Sequence, residues 1–168
     1  GNCTLRAAIQ EANATAGTQT IKFNVTGTPD FINGGQNGYT IQPDNALPTI
    51  TGQVTIDGFS QPGAVANTTV APAAFNSRLL IEVDGTNAGT SSGFNIDPSA
   101  SNVVFNGLVV NSFESNGFAG NGGGAGTVIH GCYIGTDPTG LIAKGNGSVG
   151  VQVGANAELG GLDPSDRN

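Results

Sequence analysis

Apolar residues along this chain come in short runs, each closed by glycine or asparagine, and the runs recur at a fixed spacing. Val103-Val104-Phe105-Asn106-Gly107-Leu108-Val109-Val110-Asn111 is written again as Thr127-Val128-Ile129-His130-Gly131-Cys132-Tyr133-Ile134-Gly135, with Gly107 and Gly131 standing 24 positions apart. Gly93-Phe94 and Gly117-Phe118 keep the same offset, and Gly150-Val151 follows after 33. Two separate short strands that hold one register over a period in the twenties are the mark of a winding repeat. Each strand then pairs in parallel with its counterpart one turn away, ~4.8 Å along the axis. An antiparallel sandwich also shows short strands between Gly/Asn turns, but its strands owe each other no fixed period. The pattern therefore predicts an all-β chain, a parallel β-helix or solenoid, as a single domain over 1–168. Its coils would fill 20–161, with 162–168 as a tail or the start of a further coil.

The first residues break this pattern. Over 3–14, Leu5, Ala8, Ile9 and Ala12 fall at i, i+3, i+4 and i+7, the single apolar stripe of an amphipathic helix. Asn2 or Thr4 can cap its start and Gly17 ends it. Such a helix laid over the first coil covers the core and the unpaired strand edge there. Farther on, Val54/Ile81, Ile56/Val83 and Asp57/Asp84 share an offset of 27, which predicts that the two Asp-Gly pairs stack on successive coils. Residues 60–77, 120–126 and 137–148 read as loops.

The series Cys3-Thr4-Leu5-Arg6-Ala7-Ala8-Ile9 with Glu11-Ala12-Asn13, then Val54-Thr55-Ile56-Asp57-Gly58, Ser60-Gln61-Pro62-Gly63, Ile81-Glu82-Val83-Asp84-Gly85 and Tyr133-Ile134-Gly135-Thr136-Asp137, resembles a large group of surface β-helix proteins. They carry an N-terminal C-S/T-L-R-x-A-I motif. Polymorphic outer-membrane proteins and, more distantly, pectate-lyase-like folds carry related repeats. The resemblance implies a right-handed β-helix with a short N-terminal cap helix, and an extracellular, secreted or cell-surface location. Members of the group have a further strand before the Cys-Thr-Leu-Arg segment and further coils beyond Gly160-Gly161, so both ends of this chain read as open, either cut or completed by neighbours. The group commonly has asparagine at the position of Cys132.

Charge narrows the partners. Acidic residues outnumber basic ones 12 to 5, for a net charge of −7, and no Lys/Arg cluster exists to neutralise phosphates, which disfavours nucleic acid and anionic membranes. No apolar run is long enough to span a bilayer. The chain begins at Gly1 rather than Met, as a processed protein or a fragment would.

The chemistry-bearing residues are few. Asp57, Glu82 and Asp84 form the best acidic group, the kind that holds Ca²⁺ for an acidic polysaccharide. Yet an aspartate before glycine commonly caps its own turn, and Glu82 alternates with Ile81 and Val83, which points it to solvent. The bases a lyase needs, Lys22, Arg78, Lys144 and Arg167, do not align with the acidic group by the coil offsets. His130 is the counterpart of Asn106 and reads as an exposed or stacked polar position rather than a catalytic one. No catalytic constellation, metal cluster or cofactor motif emerges. Cys3 and Cys132 read as small hydrophobes, or as partners in a disulfide between molecules or to an upstream cysteine, because several coils separate them. Among five Asn-x-Ser/Thr triplets, Asn67 and Asn146 lie in loops and are the better glycan acceptors. The functional expectation is a non-catalytic structural or adhesive module whose partner is itself, as a self-assembling filament completed by β-augmentation, or an extracellular glycan. The alternatives are a polysaccharide lyase or glycoside hydrolase, or a carbohydrate-binding module using Tyr39, Tyr133 and some of the eight phenylalanines.

Overall fold

The structure, a computed structural model, describes residues 3–120 and 124–168. Helix α1 (Leu5–Ala14) starts at Thr4, whose extended backbone and side chain accepting the Ala7 N–H cap it. The other expected cap, Asn2, lies outside the described residues. Leu5, Ile9 and Ala12 are buried on one side of the helix, which packs against the first strand. Arg6 fastens the flank of the helix by donating to the carbonyls of Ala46 and Asn45 at 2.8 and 2.9 Å.

Thirteen short strands follow among the described residues. In chain order they are β1 (Gln19–Lys22), β2 (Phe31–Asn33), β3 (Gln36–Ile41), β4 (Val54–Asp57), β5 (Ile81–Asp84), β6 (Phe94–Asn95), β7 (Val104–Asn106), β8 (Val109–Asn111), β9 (Phe118–Ala119), β10 (Val128–His130), β11 (Tyr133–Ile134), β12 (Val151–Gln152) and β13 (Glu158–Leu159). They form three sheets ordered β1-β4-β7-β10-β13, β2-β3-β5-β8-β11 and β6-β9-β12. From β4 onward the chain visits the sheets in turn, and apart from β6, which starts the third sheet, each new strand lies parallel to an earlier one. The spacing of 24 is a pairing register: Val104 faces Val128, Phe105 faces Ile129 and Phe94 faces Phe118. The spacing of 33 pairs Phe118 with Val151.

The expectation of an all-β, right-handed parallel β-helix, a closed solenoid over 20–161, is corrected by this architecture. Content is mixed, with one α-helix and three separate, mostly parallel sheets built from short segments. The pairing of β2 with β3 is antiparallel. In the first sheet Thr20 pairs with Thr55, Thr55 with Val104, Val104 with Val128 and Val128 with Glu158, steps of 35, 49, 24 and 30 residues. Steps so unequal give no uniform coil, and the third sheet begins only at β6. The offset of 27 is not a pairing either. Asp57 faces Lys22 and Asn106, whereas Asp84 faces Asn111 on a different sheet. The shared Asp-Gly reflects shared turn chemistry: Asp57 accepts from the Phe59 N–H and Asp84 from the Thr86 N–H.

Between the sheets the core is columnar. Ile21, Ile56, Phe105, Ile129 and Leu159 succeed one another in register, buried as far as Ile129 and half exposed at Leu159. Phe105 also meets Phe94 and Phe118 with ring centroids 4.9 and 4.8 Å apart. Full burial of each such side chain contributes about 1.5–3 kcal/mol. Beside this column the corner Gly107 has φ +64° and Gly131 φ +58°. The Phe59 ring lies across both, so close that an added Cβ would stand 2.7 and 2.8 Å from it. Only glycine meets both demands here.

Candidate functional site

The most deeply buried gathering of ionisable groups among the described residues lies on the second sheet, at β5. All four residues of β5 are buried, so the alternation that points Glu82 to solvent fails. Its outer side is covered by the segment after β11, which doubles back through a Thr136–Ala143 bridge and brings Lys144 over the strand. Glu82 is 3 % exposed. Its Oε1 accepts from Lys144 Nζ at 2.9 Å and Asn111 Nδ2 at 2.8 Å, and its Oε2 accepts from the Thr40 hydroxyl at 2.8 Å. Asp84 Oδ2 stands 3.6 Å from the same ammonium. Thus Lys144, which shows no alignment in the sequence, meets both carboxylates.

The electrostatics of this cluster are self-contained. Burial pulls the Lys144 pKa down, but the hydrogen bond and charge of Glu82, with the charge of Asp84, more than offset it and hold it above 10.5. Burial likewise pushes Asp84 up, while bonds from the Thr86 hydroxyl and amide and the nearby Lys144 charge pull harder, leaving it below 3.8. Asn111 is fully buried. Its carboxamide donates to the Thr136 carbonyl at 2.8 Å and accepts from the Ser112 hydroxyl at 3.1 Å. Ser112 sits at φ +59°, which turns its hydroxyl back toward its neighbour.

The remaining candidates are dispersed. Asp57, on the first sheet, caps the 3₁₀ turn Gly58–Ser60 and takes no part in the cluster. His130 is half-buried between two carboxylates, with Nε2 3.3 Å from Glu158 and Nδ1 3.4 Å from Asp166. Cys3 is exposed, and Cys132 is buried with its thiol pushed up to about 12 by desolvation. Asn67 is 2 % exposed, and its amide nitrogen donates to the carbonyls of Thr69 and Pro164. Both amide hydrogens are therefore engaged where a glycan would attach. Asn146 is half-buried, its side-chain oxygen accepting from the Phe113 N–H.

One surface groove, of about 410 Å³, is lined by Phe75, Tyr133, Leu141, Thr136, Thr139 and Asn168, among others. The Phe75 and Tyr133 rings lie 6.4 Å apart and within 22° of parallel. Arg167 covers Phe75 at 4.3 Å, and the Tyr133 hydroxyl is tied to Ser77 at 2.7 Å. Tyr39, the other aromatic expected to serve a ligand platform, is buried. Neither Phe75 nor its meeting with Tyr133 is visible in the sequence, because the 58–80 excursion carries no repeat signal.

No family model, curated protein or solved structure matches the chain. The resemblance carried by the Cys-Thr-Leu-Arg series therefore stays at the level of the sequence, and the secreted or surface location it implied is not carried further. Among the described residues, no three His, Cys, Asp or Glu gather in a way that could hold a metal ion. No helix there is long and apolar enough to cross a membrane.

Proposed function

We propose that the chain is a non-catalytic structural or adhesive module. The observation that carries this reading is the inward closure of the acid–base cluster at β5. Both Glu82 oxygens are spent on Thr40, Asn111 and Lys144, and Asp84 on Thr86 and Lys144. A base that removes a sugar's α-proton has to be neutral near working pH. Lys144 is shifted the opposite way, which argues against the lyase alternative. The adhesive reading draws separate support from the Phe75–Tyr133 groove, since near-parallel aromatic rings beside threonine hydroxyls suit the apolar face and rim of a sugar.

Neutral and acidic polysaccharides incubated with the protein, with and without Ca²⁺, test the proposal. Reducing ends and the ultraviolet absorbance of unsaturated uronate products are followed, alongside co-sedimentation with the insoluble glycans. The expected result is no new chain ends. Depolymerisation that disappears in Lys144→Met overturns the proposal. Co-sedimentation lost in Phe75→Ala and Tyr133→Ala selects the adhesive form, and its absence selects the structural one.

A further inference from the structure

Lys144 Nζ and Asn111 Nδ2 both lie within hydrogen-bonding distance of one oxygen, Glu82 Oε1, at 2.9 and 2.8 Å. The carboxamide oxygen of Asn111 meanwhile accepts from the Ser112 hydroxyl at 3.1 Å. A plain ion pair requires no buried amide on the same oxygen and no donor on that amide's carbonyl. Together they place a nucleophile, a proton carrier, an acyl group and an oxyanion donor in one spot, where Glu82 and Asn111 are buried and Lys144 reaches in from a half-exposed position. We propose that this is a site of intramolecular isopeptide bond formation between Lys144 and Asn111. The inference does not rest on the module's function.

The ion pair is the resting state. The Lys144 ammonium passes a proton to Glu82, a transfer that leaves a neutral acid–amine pair and is eased by the burial of the Glu82 carboxylate. The free amine then attacks Asn111 Cγ, forming the Nζ–Cγ bond. Negative charge develops on the carboxamide oxygen, where the Ser112 hydroxyl is already placed to receive it. Glu82, touching both nitrogens, carries a proton from Nζ to Nδ2. The Cγ–Nδ2 bond breaks and ammonia leaves, taking up the proton that Glu82 holds. An ammonium side chain and a carboxamide thus become a secondary amide and one ammonium ion, with no oxidant or cofactor. Holding the two groups on a shared oxygen replaces a bimolecular encounter with an internal one. Because Glu82 and Asp84 both favour the charged lysine, proton transfer limits the rate, and the bond accumulates slowly after folding.

The test is digestion of protein that has been aged in the folded state and then unfolded in denaturant, with a protease that cuts after glutamate. Cleavage at Glu82, Glu114 and Glu158 separates Asn111 on 83–114 from Lys144 on 115–158. The expected product is one branched species joining these two peptides, lighter than their sum by one ammonia and mapped to Lys144–Asn111 by fragmentation. Loss of ammonia from the intact chain alone does not decide, because Asn106-Gly107, Asn116-Gly117 and Asn146-Gly147 can each lose it by cyclising. Lys144→Arg, which keeps the charge and hence the fold, should give two separate peptides, as should Glu82→Gln, where loss of the cleavage site leaves Asn111 on 12–114. Two separate wild-type peptides with a free Lys144 amine overturn the proposal. A branched species that persists in Glu82→Gln overturns the role of Glu82.

Discussion

Replacing Phe105 with alanine probes the column on which the three sheets converge. The ring is fully buried, with Ile56 and Ile129 on either side of it in register and with Phe94 and Phe118 against its edges at 4.9 and 4.8 Å. Truncation removes the transfer free energy of the ring and leaves a cavity, together about 3–5 kcal/mol. Two aromatic contacts, each worth about 0.5–1.5 kcal/mol beyond area, place the loss toward the top of that range. Against a total stability of about 5–15 kcal/mol this is a large share. For a chain of this length the melting temperature should fall by roughly 10–15 °C. Phe105→Leu, which keeps most of the volume, should lose about 1–2 kcal/mol. Leu159→Ala, at the half-exposed end of the same column, should lose under about 1 kcal/mol. Urea unfolding followed by circular dichroism and tyrosine fluorescence measures all three, with an unchanged m-value as the condition for comparing them. A Phe105→Ala loss under about 1.5 kcal/mol at constant m would refute the packing argument.

Two further outcomes follow from the buried polar groups. Asp84 is held below its ordinary 3.8 in the fold, so its contribution is complete above that value and disappears as pH falls through the folded pKa. Thr86→Val removes the hydroxyl donor and should shift the acid limb of urea midpoints, measured between about pH 2 and 6, toward higher pH; an unmoved limb contradicts the assignment. A thiol reagent should titrate only the exposed Cys3 in the native protein and reach Cys132 only on unfolding, because burial both hides that sulfur and suppresses its thiolate; fast reaction of both refutes the burial.

The helix and the strand register were legible because each depends on local periodicity. Leu5, Ile9 and Ala12 mark one helical stripe, and the repeat around Gly107 and Gly131 reports a pairing of strands 24 residues apart. The architecture as a whole was not legible. A period seen in one stretch does not reveal that the chain spends 49 residues between β4 and β7 or that β2 turns back on β3. Glu82 was misread for a related reason: alternation along a strand tells which side a residue faces, not what later covers that side. Here the cover arrives from Lys144, 62 residues on. The groove shares this non-local origin, since Phe75 leaves the sheets on an excursion and meets Tyr133 58 positions later.

The unequal spacing of the parallel strands also has a mechanical meaning. Drawn away from the β13 end, the first sheet would open one strand at a time, and each release would free the length of chain stored between two neighbours. The 24-residue interval between β7 and β10 yields roughly 80 Å when fully stretched, and the 49-residue interval between β4 and β7 roughly 165 Å. Under tension the molecule would extend in steps of unlike size. Pulled along the strands instead, the same ladders would be sheared together and resist as one.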